Sequence, residues 1–149
     1  MTTITDTLAP GQKLLTDIKA QIDKYEKIYK TSSIDTLLNA GDWFAIQATR
    51  LSELLAEIKT GYNKAYYIRK LKTAQKEQEL INKESLSAAK AASQSIVATA
   101  EFLDNELEYQ SVAYRLEIFL KQLNILISSI QQRISYLKIE MNNTQKMQL

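Results

Sequence analysis

The sequence predicts an all-α protein: a long antiparallel helical hairpin plus an N-terminal helix, packed as a coiled-coil-like bundle in an elongated oligomer. Three observations predict it. Gly occurs 3 times and Pro once in 149 residues, so almost nothing interrupts a helix. Tyr109, Val112, Leu116, Phe119, Leu123, Leu126, Ile130, Ile134, Leu137 and Met141 recur in steps of three and four, a heptad seam with one stutter at Ile130–Ile134. A second seam, Leu15, Ile18, Ile22, Tyr25 and Tyr29, has the same period and is its natural partner.

The elements succeed one another within one domain, 1–149. Residues 1–9 are polar and read as loose. Helix 10–30 starts at Pro10, where a missing N–H in the first turn costs nothing. Thr31, Ser32 and Ser33 stop it by competing for backbone groups, and Ser33 caps a short turn over 34–39. Gly41 ends that turn, and Asp42 caps a second helix over 43–83. That helix buries Leu51, Leu54, Leu55, Ile58, Tyr62, Ala65, Tyr66 and Leu71, with Gly61 marking a close crossing or a mild bend. Ser85 or Ser87 turns the chain into a last helix over 87–142, and the tail 142–149 frays.

Helices of these lengths exceed the width of a compact monomer of this size, so the chain is read as a dimer or higher homo-oligomer, unless one helix breaks at a point the pattern does not mark. The interface between copies is assigned to Leu116, Phe119, Leu123, Leu126, Ile130, Ile134 and Leu137. Trp43 and Phe44 cap one end of the bundle in one reading and anchor a partner protein in the other.

Composition excludes much chemistry. With no His and no Cys, neither a Ser-His-Asp nor a Cys-His arrangement exists, nor a thiolate–imidazole metal site. The 17 Asp and Glu stand at ordinary helix-surface spacings, as Glu77 and Glu84 do. The chain is therefore read as non-enzymatic, without metal or cofactor. No apolar run is long enough to span a membrane and no leader pattern opens the sequence, so a cytoplasmic place is expected.

Charge is distributed unevenly. Between 59 and 83 lie seven basic residues against Glu77 and Glu79, while 101–117 carries five carboxylates against Arg115 alone. Lys64, Arg69, Lys70, Lys72 and Lys76 are candidate phosphate contacts for single-stranded DNA, with Tyr67 as a stacking ring. The competing reading uses the same residues differently. A turn near 85 sets 64–72 beside 98–106, so the basic stretch faces the acidic one and fixes the hairpin by ion pairs.

One block carries a resemblance. Glu106-x-Glu108-Tyr109, Arg115-Leu116 and Ile134-Ser135-x-Leu137-Lys138-x-Glu140 sit on an Ala-rich helix. This pattern resembles small helical bacteriophage proteins encoded near single-strand annealing recombinases, over about 35 residues at 106–140 and more loosely from Leu54 onward. The resemblance implies a helical accessory factor in phage DNA recombination or replication, in the host cytoplasm, with DNA or a recombination protein as partner. It transfers no catalytic or binding residue. The alternative is a protein–protein module, a virion or scaffold component or an inhibitor of a host protein, with no nucleic-acid contact.

Overall fold

The computed structural model describes the backbone from residue 4 to 146 and side chains from 11 to 146. Among the described residues the chain is all-helical: α1 (Ile4–Ile28), α2 (Ile34–Glu84), α3 (Ala88–Ala98) and α4 (Ala100–Lys146). The all-α expectation holds. Several boundaries move.

Helix α1 begins at Ile4, so the stretch read as loose is helical from there, and Pro10 lies inside the helix instead of at its start. Residues 1–3 and 147–149 lie outside the described residues, and the frayed tail is helical as far as Lys146. The predicted stop after α1 is present. Thr31 Oγ1 and Ser32 Oγ both donate to the Ile28 carbonyl, at 3.2 and 2.7 Å.

Ser33 caps α2, its Oγ accepting the Thr36 N–H at 3.3 Å. The predicted break at Gly41–Asp42 does not occur: α2 runs 51 residues without interruption. Gly41 is helical, and a Cβ there would lie 3.4 Å from Ile130 Cγ2. The glycine serves close helix approach, and tertiary packing overrides its turn signal.

The chain turns at residues 85–87. Ser85 takes a left-handed φ of 54°, the conformation a helix C-terminus favours one residue past its end. Leu86 N–H then donates to Leu80 O at 3.4 Å. Ser87 is the N-cap of α3, in extended conformation and without a side-chain capping bond.

The expected single helix over 87–142 is interrupted once, at Thr99. Thr99 Oγ1 donates back to Ser95 O at 2.7 Å and meets Thr73 Oγ1 at 2.9 Å. A hydroxyl held between its own backbone and a neighbouring helix stabilises the break.

The helices group into two compact units. The first, Leu55–Arg115, is an antiparallel hairpin of the second part of α2 against α3 and the first part of α4. Its register runs through Gly61 against Tyr109, Arg69 against Glu106 and Thr73 against Thr99. Ile58, Ala65, Leu80, Ala91, Tyr109 and Ala113 are buried in it.

The second unit, Thr5–Leu54 with Leu116–Leu149, is a three-helix bundle. Helix α1 pairs antiparallel with α2: Tyr25 meets Phe44 edge-on at 6.1 Å, and Gly11 lies against Leu54. Ile18, Leu37, Phe44, Leu51, Leu123 and Ile130 have at most 2% of their surface exposed. Arg133 Nη2 donates to the Lys30 carbonyl just past α1, at 3.3 Å. Phe44 is in the bundle core and Trp43, half-buried, meets it edge-on at 5.2 Å, so the pair lies inside α2 and not at a helix start.

The predicted seam faces this core. Leu116, Leu123, Ile130 and Ile134 are buried, and Phe119, Leu126 and Leu137 are half-buried, within a single chain. For Leu116, Leu123, Ile130 and Ile134 the assignment to an interface between copies is corrected, because the chain's own helices already cover them. Met141, the last position of the seam, is exposed.

Candidate interaction surfaces

The basic stretch on α2 does not form one face. Successive residues of a helix turn by about 100°, so with Arg69 as the inward reference Lys76 lies within about 20° of it. Lys72 and Lys70 fall about 60° and 100° to opposite sides, and Lys64 and Tyr67 lie about 140° and 160° away, on the outer surface. The six residues proposed for nucleic acid thus point around the whole helix.

Two of the six are in ion pairs. Arg69 Nε donates to Glu106 Oε2 at 2.5 Å. That hydrogen bond is the largest of the effects that hold the guanidinium pKa above its ordinary value. Lys76 Nζ pairs with Glu79 Oε2 at 3.2 Å, and Lys83 Nζ reaches the same carboxylate at 3.3 Å. The two lysines hold the Glu79 carboxyl below its ordinary range. Lys70 sits 5.6 Å from the Tyr66 ring centroid, and Arg69 lies over the same ring at 5.5 Å. Lys64, Lys72 and Tyr67 are exposed, Tyr67 with 71% of its surface in water.

Between the basic and acidic stretches, Arg69 pairs with Glu106, whose carboxylate is buried. Glu101, Asp104 and Glu108 are exposed on α4. Helical geometry turns them away from α2, because only every third or fourth residue of α4 can face inward.

Tyr66 and Leu71, read as core, are exposed. Tyr66 belongs to a flank of the hairpin that the sequence pattern did not reveal. Tyr66 and Lys70 lie about 60° and 100° from Arg69, and Leu103, Leu107 and Tyr114 lie about 60–100° from Glu106 in the same rotational sense. In an antiparallel pair both sets turn to the same side, as the Thr73–Thr99 contact confirms for its own side chains. The result is an apolar flank with Leu107 at 47% and Tyr114 at 64% exposure, edged by Lys70. The signal for it was the second apolar row on the last helix, hidden behind the stronger seam.

A further row lies on the part of α4 in the three-helix bundle. Ile118, Ile125 and Ile139 are exposed at multiples of seven residues, about 120–180° away from buried Ile130. A shallow depression of about 410 Å³ interrupts this row, lined by Lys121, Asn124, Ile125, Ser128, Ser129 and Gln132.

Among the described residues no group of His, Cys, Asp and Glu could hold a metal ion, and no helix is long and apolar enough to cross a membrane. The fold and these surfaces define a helical protein with exposed side-chain faces. No protein-family model, curated protein or solved structure matches the chain.

Proposed function

We propose that this chain is a non-enzymatic helical module that binds another protein through the apolar flank of its hairpin. The observation that carries the reading is the exposed set Tyr66, Leu103, Leu107 and Tyr114 on one side of two paired helices. The apolar row Leu103, Leu107 and Tyr114 on α4, with Tyr66 beside it on α2, accepts an amphipathic helix that lays its own apolar row along it. Lys70 at the edge favours a partner helix with an acidic flank. The resemblance of 106–140 to phage-encoded accessory proteins supports a partner among proteins of phage DNA recombination or replication, in the host cytoplasm.

The test is capture from nuclease-treated host extract with the wild type and two variants. A single partner retained by Lys64→Glu/Lys72→Glu and lost by Leu107→Asp, with helicity intact, supports the flank as the working surface. The reverse pattern overturns it in favour of the cations.

A second reading, weak binding of single-stranded DNA, draws on the neighbouring exposed Lys64 and Tyr67 on the outer face of α2. One cation beside one open ring can contact a phosphate and stack a base. Binding of this kind falls steeply with salt and disappears in Lys64→Glu/Tyr67→Ala. Fluorescence anisotropy of a labelled oligonucleotide at two salt concentrations measures it.

A further inference from the structure

Helix α3 is held to the hairpin by little. It has 11 residues, short of the length at which an isolated helix persists in water. Its buried residues are Ala91 and Ser95, which bring little apolar surface to the contact. Its largest apolar side chains, Ile96 and Val97, face water instead, with 61% and 77% of their surface exposed. Ser87 caps it without a side-chain bond, and Lys90 places a positive charge in the first turn, where the helix dipole disfavours it.

Both ends of α3 are joints. At one, residues 85–87 turn the chain, with Ser85 in its left-handed conformation. At the other, Thr99 leaves helical geometry, with φ −114° and ψ 18°. Its N–H is shared between Ser95 O at 3.1 Å and Ile96 O at 3.3 Å, and the Phe102 N–H reaches back only three residues, to Thr99 O at 3.1 Å. Ala98 and Ala100 flank Thr99, and no Gly or Pro stands anywhere after Gly61, so residue type alone favours an unbroken helix. Back-bonding of the Thr99 hydroxyl bends the helix, and Thr73 holds that hydroxyl from across the hairpin.

A count of protons makes this contact a latch. Thr73 Oγ1 lies 2.9 Å from both Arg69 O and Thr99 Oγ1, and Thr99 Oγ1 lies 2.7 Å from Ser95 O. Three oxygen–oxygen contacts need three protons, and two hydroxyls supply two. With Thr99 donating to Ser95 O, Thr73 donates either to Thr99 Oγ1, which closes the link, or to Arg69 O, which opens it. The link therefore opens by rotation of one hydroxyl, and both carbonyls are then satisfied.

We infer that α3 is a strap that lifts from α2 as a unit, hinged at residues 85–87 and at Thr99 and latched by the Thr73–Thr99 hydroxyl pair. Continuing the Thr73–Thr99 register sets Ala92 opposite Leu80, so lifting α3 uncovers Leu80, which is 4% exposed in the closed form. The rest of the hairpin stays closed, because the Arg69–Glu106 pair and the packing of Tyr109 on Gly61 hold it beyond the latch. The strap gives the tip of the hairpin a closed and an open form. It depends neither on the apolar flank nor on the cations of α2.

Hydrogen–deuterium exchange of the full chain, read by mass spectrometry, tests this. In the wild type, amides of 88–98 should exchange faster than those of 62–72 and 102–113. Thr73→Val keeps the side-chain shape and loses the hydroxyl. It should speed 88–98 by about tenfold, the worth of one hydrogen bond, and leave the other two stretches unchanged. Thr73→Ser keeps the hydroxyl and should exchange as the wild type does. The chain contains no Cys, so Thr73→Cys/Thr99→Cys can be oxidised to a single cross-link, which should slow 88–98 until it is reduced. Wild-type exchange of 88–98 in step with the rest of the hairpin overturns the inference. So does a Thr73→Val effect that is absent or equal in all three stretches, since the hydroxyl pair then latches nothing of its own. Thr73→Ser behaving like Thr73→Val overturns it too, because the methyl group and not the hydroxyl would be at work.

Discussion

Arg69 and Glu106, 37 positions apart, form an ion pair at 2.5 Å in the interior of the hairpin, with 24% and 9% of their side-chain surfaces exposed. A carboxylate this far from water is tolerated because a guanidinium hydrogen-bonds it directly. Arg69→Ala leaves Glu106 buried and unpaired. Because Arg69 keeps part of its surface in water, the expected loss is about 2–3 kcal/mol, below the range for a fully buried pair. Replacing both residues, as in Arg69→Met/Glu106→Leu, should recover that loss within about 1 kcal/mol. Urea denaturation of the two variants measures both quantities.

Gly61 faces Tyr109 so closely that an added Cβ would collide with the ring. Helix propensity alone makes Gly61→Ala favourable by about 1 kcal/mol. The collision should win, because Tyr109 is buried and its ring has little room to move, giving a net loss of about 1–3 kcal/mol. In a Tyr109→Leu background the same substitution should become neutral or stabilising. Thermal melts of the four proteins in this cycle decide the sign.

Ile130 has no exposed surface and lies against Gly41. Ile130→Asp should therefore unfold the three-helix bundle instead of separating intact copies, because an unpaired charge enters a closed core. The milder Ile130→Ala should cost about 2–5 kcal/mol. Loss of helicity for Asp, and a lowered denaturation midpoint for Ala, are the expected readouts.

Ser85 holds a left-handed backbone without being glycine. Ser85→Gly should stabilise the turn by about 1 kcal/mol by removing the Cβ penalty. A raised melting temperature with unchanged helicity is the expected result.

Glu79 carries a pKa below its ordinary value of 4.5, through hydrogen bonds from Lys76 first and Lys83 second. Its pairing contributes stability above pH 4.5, and that contribution fades as pH falls through the lowered value. Carbon-detected NMR of the Glu79 carboxyl should titrate below 4.5 in the wild type and move upward in Lys76→Gln.

Much of the fold was legible because helical periodicity is local. The seam from Tyr109 to Leu137 and the α1 row with Ile18 and Tyr25 arise from 3.6 residues per turn, and both supply buried positions. The turn near 85 and the antiparallel register beyond it were also readable. Gly41 was misread because one glycine signals a turn and a close packing site equally well, and only Ile130 across the core distinguishes them. Thr99 was missed because its break depends on Thr73, 26 positions away.

The candidate site was less legible. A run of basic residues looks like a patch along the sequence, yet on a helix Lys64, Lys70 and Lys72 point in three directions. The sequence by itself determined that this protein is helical, without thiolate or imidazole chemistry, and built on heptad rows. Only the tertiary structure decided which row is core and which is surface. The physical reason is that a stripe specifies only the need for cover, whereas burial depends on whether a helix of the same chain reaches it. For Ile130 one does, and for Ile125 it does not.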